Sequence, residues 1–154
     1  MSIFINVKRS HSDAVLPSQD AGDVGWDLSA VESGFIPPGQ VQIIPTGWIL
    51  AENPYDDDPH KKILIKIEGR SGLAMKHAVF PVGGIIDPSY RGEIGVMLYN
   101  GGEQPYQFEK GDRVAQIVIY SVHGKSLRNK TAFIETRSVR PSARGDKGFG
   151  SSGR

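Results

Sequence analysis

Cysteine is absent from this 154-residue chain, which excludes disulfides and thiolate metal sites and suits a reducing compartment. An excess of charge is also missing: 18 Lys and Arg face 17 Asp and Glu. No global field therefore draws the chain to nucleic acid or to an anionic membrane, and neither is expected as a partner. No apolar run approaches a membrane span, and Ile3-Phe4-Ile5 is too short for a signal-peptide core, so the expectation is an intracellular protein, cytoplasmic or nuclear and not secreted. Histidine is sparse, and His11, His60, His77 and His123 show no ligand spacing, which argues against structural zinc. Long helical periodicity is lacking too. What the chain has instead is 19 glycines and 10 prolines spread throughout, with short strand patterns between them. That predicts an all-β fold, sandwich or barrel, in a single domain.

Taken in order, Ile3, Ile5 and Val7 alternate with Phe4, Asn6 and Lys8, which is strand periodicity. Val24 to Ala30 reads as a short strand in which Asp27 lies between Trp26 and Leu28; a carboxylate so placed is partly buried and needs a partner. Pro37-Pro38-Gly39-Gln40 is a turn, and Val41 to Ala51 is strand broken by Pro45 and Gly47. Glu52 to Lys62 is a loop; its Asp56, Asp57 and Asp58 lack calcium-loop spacing and read as a solvated tip. Ile63 to Ile67 is strand again. Gly69 to His77 is the one stretch with helical tendency, and Arg70, Ser71 and Gly72 at its start predict an anion site. Glu93 to Asn100 is a strand, Gly101-Gly102 a turn, and Lys110 to Tyr120 a turn feeding a strand buried on both faces, with Gln116 the polar side chain in it. Such a polar side chain in an apolar run is an anomaly, and a core Gln commonly satisfies a neighbouring backbone group. From Pro141 to Arg154 the chain is rich in Gly and Ser, the composition of a flexible arm, with Phe149 its lone aromatic.

The stretch Gly83 to Gly92 is the centre of the pattern. Two glycines permit close backbone approach, Ile85 and Ile86 ask for a strand, and Asp87-Pro88-Ser89 is turn chemistry leading to Tyr90. The expected structure is a hairpin with a carboxylate at its tip. It could offer main-chain groups to a planar ligand on one arm and hold Asp87 and Tyr90 against that ligand.

Five segments stand in one order: Ala21 to Ala30, Gly69 to Ala74, Gly84 to Gly92, Gly111 to Gln116, and Arg144 to Gly153. Together they resemble the five motifs of the homotrimeric dUTP pyrophosphatases (dUTPases). The resemblance implies a jelly-roll or distorted β-barrel over residues 1–140 with one short helix. It also implies an arm, residues 141–154, that closes over an active site, three sites at the interfaces of a homotrimer, Mg²⁺ as cofactor, and hydrolysis of dUTP to dUMP and pyrophosphate. Such an activity limits uracil incorporation into DNA and supplies dUMP for thymidylate synthesis. By position, Asp87 corresponds to the base that activates water and Tyr90 to the ring that excludes a ribose 2′-hydroxyl. The main chain of Gly84, Ile85, Ile86 and Gly95 would read uracil, and Arg70, Ser71, Gly72 and Gln116 would hold phosphates. Asp27 would reach Mg²⁺ through water, Arg144 would contact the γ-phosphate, and Phe149 with Gly150 would cover the base. The chain departs from the usual pattern at Trp26, Gly69, Pro88-Ser89 and Lys147.

The chemistry is coherent on its own terms. An aspartate is ionised at neutral pH and can deprotonate a water held against phosphorus, while arginines, Mg²⁺ and oriented N–H groups offset the charge of a triphosphate. Two alternatives remain on sequence grounds. A dCTP deaminase of the same superfamily would need an acid placed to protonate cytosine and would lack the Phe149 arm. A nucleotide-sensing regulator would use the same fold to switch a protein partner, with Asp56 to Asp58 as a candidate surface.

Overall fold

The computed structural model describes residues 5–52 and 61–123. Residue Ile3, the Asp56 to Asp58 run, and Arg144, Lys147, Phe149 and Gly150 of the arm lie outside them. Among the described residues one sheet is built from β1 (Asn6–Arg9), β4 (Val41–Glu52), β8 (Glu93–Asn100) and β6 (Val79–Pro81), in the order β1-β4-β8-β6. The second has β2 (Trp26–Ser29), β10 (Arg113–His123), β5 (Lys61–Glu68) and β7 (Ile85–Ile86), in the order β2-β10-β5-β7. A two-stranded ribbon pairs β3 (Gly34–Ile36) with β9 (Tyr106–Phe108), and helix α1 (Ser71–His77) follows β5. Every strand pairing is antiparallel. This is the all-β fold that the residues predict, in the jelly-roll type of double sheet that the family resemblance implies. No helix among the described residues is long and apolar enough to cross a membrane.

Alternation explains the core. Ile63, Ile65 and Ile67 on β5 and Ile94, Val96 and Leu98 on β8 are buried, and they pack with Leu28, Leu50 and Val114 into one cluster. Each such side chain contributes about 1.5–3 kcal/mol by leaving water. A smaller cluster of Ala14, Val31 and Trp48 ties down the segment before β2, with Trp48 Nε1 donating to the Val15 carbonyl at 2.7 Å and the Arg9 guanidinium 4.7 Å from the Trp48 ring centre.

Three expectations need correction. The strand from Val41 does not break at Pro45 and Gly47; β4 runs through them, and a register shift between Pro45 and Ile49 absorbs the irregularity as a bulge. Gly47 sits at φ 73°, where a Cβ would come within 2.6 Å of Ala14 Cβ, so no side chain fits. Second, Gly83 to Gly92 is not a self-paired hairpin. Val82 N–H donates to the Met97 carbonyl at 2.9 Å, continuing the β6–β8 pairing, but β7 then crosses to the other sheet and pairs with β5. Third, β10 is buried on both faces only from Val114 to Ala115, and Tyr120 is exposed.

One polar side chain lies fully inside the β8 end of the core. Asn100 Nδ2 donates to the Ile36 and Gln104 carbonyls, each at 2.8 Å, and its Oδ1 accepts from Gly102 N–H at 2.9 Å. It thereby joins β3 and the loop after β8 to the main sheet. Asn100→Ala leaves these groups unpaired and is expected to cost about 2–4 kcal/mol in urea unfolding. A loss under about 1 kcal/mol would show that water replaces the amide.

Candidate active site

Of the sequence-predicted residues that the structure describes, all but Gly84 line one of two cavities. The first, of about 420 Å³, is lined by Asp27, Arg70, Ser71, Gly72 and Gln116, together with Asp20, Asp23, Gly25, Leu73, Lys76, His77 and Arg113. Register accounts for this. Strand β10 lies between β2 and β5, and Gln116 stands directly opposite both Asp27 and Glu68, so Asp27 and Gln116 share a face. The Asp27 main chain is fixed from its other side by its N–H bond to Ser18 O at 2.7 Å. Gln116 Nε2 donates to the Gly69 carbonyl at 2.8 Å, which satisfies a backbone group and anchors the turn that carries Arg70. Its side chain also lines the cavity.

Asp27 has the partners its half-buried carboxylate requires. Arg70 Nε lies 3.0 Å from Oδ1 and Arg113 Nη1 3.1 Å from Oδ2. Arg70 occupies the N-cap position of α1 with extended dihedrals, and no side chain caps the helix; the Leu73 and Ala74 N–H groups donate to the Arg70 carbonyl. The helix has only seven residues and no acidic residue in its first turn. Positive charge in this cavity thus comes from Arg70, Lys76 and Arg113 side chains more than from a helix dipole, which revises the emphasis of the sequence reading. Tyr106 stacks against His77 with ring centres 5.1 Å apart. Burial pushes the Tyr106 phenol above its ordinary pKa, nearby Asp112 adds to this, and Arg70 opposes it.

The second cavity, of about 280 Å³, is lined by Ile85, Ile86, Asp87, Tyr90 and Gly95, with Ile43, Glu93 and Met97. Strand β7 is the edge of its sheet, so one side of its main chain faces away from β5 and can pair with a planar ligand. Gly84 makes that edge possible. It sits at φ 101°, its carbonyl accepts from Ile67 N–H at 2.7 Å, and an added Cβ would lie 2.8 Å from the Ile67 carbonyl oxygen. Asp87 is exposed at the end of β7, where its carbonyl accepts from Tyr90 N–H at 3.0 Å to close a turn. The Tyr90 hydroxyl donates to the Glu93 carbonyl oxygen at 3.1 Å, and the Glu93 carboxylate accepts from Gly47 N–H at 3.1 Å and from the Ser10 hydroxyl at 3.0 Å. The bulge in β4 thus braces the ring in this cavity.

Sequence reasoning missed Arg113, Lys76 and Glu93. Residues three apart on a regular strand point to opposite faces, so Arg113 and Gln116 are not expected together. A register shift between Arg113 and Ala115 inserts one residue and turns Arg113 to the Gln116 side. Nothing in the local sequence signals that bulge. Lys76 lies one turn beyond Ser71 to Leu73 on α1 and was within reach of a helical count.

The dUTPase family model matches residues 12–153. The deoxyuridine 5′-triphosphate nucleotidohydrolase of Anaeromyxobacter sp. is 41% identical over 135 residues, covering 86% of this chain and 83% of that protein. That of Solibacter usitatus is 37% identical over 155 residues, covering 97% and 96%. Among solved structures, Staphylococcus bacteriophage 80alpha dUTPase with dUPNHPP superposes with a TM-score of 0.76 at 25% identity, over 98% of this chain and 99% of that one.

The two cavities differ in what a methyl group would do. At Gly72 a Cβ meets nothing within 4 Å and points into open space, whereas at Gly84 it meets backbone. Gly72→Ala should leave thermal stability unchanged or raise it by up to about 1 kcal/mol. Gly84→Ala should lose about 1–3 kcal/mol through strain alone. If Gly72→Ala also binds a triphosphate at least about tenfold more weakly by calorimetry, a loss of about 1.4 kcal/mol, the ligand comes close to this backbone. Equal destabilisation by the two substitutions would contradict the geometry.

Proposed function

The chain belongs to the dUTPase family and hydrolyses dUTP to dUMP and pyrophosphate, and we propose that its two cavities are the two halves of the site. The observation that carries this reading is their division of chemistry. One cavity joins cations, a carboxylate and an amide suited to phosphates; the other joins a strand edge, a tyrosine ring and a carboxylate suited to a nucleoside. Asp87 takes the proton of the attacking water, and Tyr90 closes the space beside the sugar where a 2′-hydroxyl would sit. In this reading the main chain of Gly84, Ile85, Ile86 and Gly95 pairs with the hydrogen-bonding edge of uracil. Arg70, Ser71, Gly72 and Gln116 bind the phosphates and hold them in line, so positioning and charge compensation supply most of the rate. Arg144, Phe149 and Gly150 belong to the arm, residues 141–154, which closes over the site in this reading.

Among the described residues no group of three or more His, Asp or Glu is set to hold a metal alone. In this reading Mg²⁺ is held mainly by the substrate phosphates with Asp27 reaching it through water, the usual habit of an ion that keeps most of its hydration. When bound, it offsets charge on the phosphate chain. A dCTP deaminase reading is not favoured: Glu93, the other carboxylate of the nucleoside cavity, has both oxygens engaged by Gly47 N–H and the Ser10 hydroxyl. An intracellular place of action follows from the substrate.

Assembly belongs to the same proposal. The two cavities share no lining residue. Around the nucleoside cavity Ile43, Ile85, Tyr90 and Met97 are exposed, and Val41 and Phe80 extend the apolar surface along the same sheet. Apolar area of this kind supports a homotrimer in which the nucleoside half of one protomer faces the phosphate half of the next.

Two measurements test this. Pyrophosphate release should occur with dUTP but not with dCTP, dTTP or UTP, and Asp87→Asn should lower kcat by about 10²–10⁴ with binding nearly intact. Comparable turnover by the mutant would remove Asp87 from the mechanism. For assembly, Asp87→Asn and Arg70→Ala chains, each nearly inactive alone, are refolded together at equal ratio. Halves drawn from different protomers predict activity at about a quarter of sites, from two independent one-half chances in a cyclic trimer. Halves drawn from one protomer predict none, provided light scattering shows that mixed trimers form.

A further inference from the structure

We propose that Arg113 is a positioning residue of the phosphate half-site: it neutralises and holds the Asp27 carboxylate so that a polyanion can enter beside it and Arg70 stays turned toward the cavity. The proposal rests on the reading of this cavity as the phosphate site. Its ground is a three-member arrangement in which each contact is explicit. Arg113 Nη1 donates to Asp27 Oδ2 at 3.1 Å, Arg70 Nε reaches Oδ1 at 3.0 Å, and Arg70 Nη1 donates to the Arg113 carbonyl at 3.1 Å. Arg113 thus grips Asp27 with its side chain and Arg70 with its main chain, and the bulge between Arg113 and Ala115 exists where it brings this side chain to that face.

The energetics point away from a folding role. The Arg113 side chain is 54% exposed, and ion pairs that wet contribute little to stability. Next to a ligand the same charge matters more. Arg70, Lys76 and Arg113 balance Asp20, Asp23 and Asp27 around the cavity. Removing Arg113 leaves carboxylates in excess exactly where a triphosphate must lie, and it leaves Arg70 as the sole partner of Asp27, so phosphates must compete with that carboxylate for its guanidinium. If this is the mechanism, the effect of Arg113 passes through the charge of Asp27.

The test is a double-mutant cycle on the full chain, read by calorimetric binding of an α,β-imido dUTP analogue in EDTA. Arg113→Ala should weaken binding at least about tenfold, and Arg113→Lys should recover most of it because it keeps the charge. In an Asp27→Asn background, removing Arg113 should cost less than about threefold, since no carboxylate remains to be neutralised. With Mg²⁺ present, Arg113→Ala should raise KM while kcat changes less than about threefold, and its thermal midpoint should stay within a few degrees of wild type. An equal loss in both backgrounds would show that Arg113 acts independently of Asp27 and would overturn the proposal, as would no loss in either. If the wild-type chain binds the analogue neither in EDTA nor with Mg²⁺, the phosphate reading of the cavity fails first and takes the proposal with it; if only the coupling is missing, that reading stands and the proposal alone falls.

Discussion

The register of β10 is the constraint on which the rest depends. This strand hydrogen-bonds to β2 on one side and β5 on the other, so its alignment sets three strands at once. Buried Ala115 and Ile117 fix that alignment, because a slip by one residue would turn them to the face that carries Gln116. With the alignment fixed, Asp27, Gln116 and Glu68 stand abreast, and the end of β5 delivers Arg70 beside Asp27. The polar site is a consequence of hydrophobic packing one layer beneath it.

The other half of the site depends on a crossing between sheets. Between β6 and β8, which pair with each other, the chain leaves for the edge of the opposite sheet and returns. Gly84 permits the close approach to Ile67, and the β4 bulge returns support through Gly47 and Glu93 to the loop that carries Tyr90. A carboxylate at the end of an edge strand beside a braced ring is a rigid placement for a loop residue. In the proposed mechanism this placement lets one aspartate serve as a base without a histidine partner.

Neither half closes on itself. The cavity at Asp27 carries balanced charge and the cavity at Asp87 exposed apolar side chains, and each lacks what the other has. In the proposed assembly one interface would serve both stability and catalysis, so loss of assembly and loss of activity would be a single event.

The sequence by itself determined the fold class, the short helix after β5 and several of the residues that line the two cavities. Strand alternation, glycine and proline spacing and the absence of long helical patterns are local properties, and Asp27, Arg70, Asp87, Tyr90 and Gln116 stand in segments whose chemistry is legible in order. Tertiary structure decided the rest. Pro45 and Gly47 read as a break yet form a bulge inside one strand, because pairing with β1 and β8 holds both ends of β4 in line. Gly83 to Gly92 reads as a hairpin yet splits between two sheets, because the partner of Ile85 and Ile86 is the distant β5 and no local pattern encodes a distant edge. Arg113 joined the site only through a register shift, and a register shift is a property of two strands together, which neither strand's sequence contains alone.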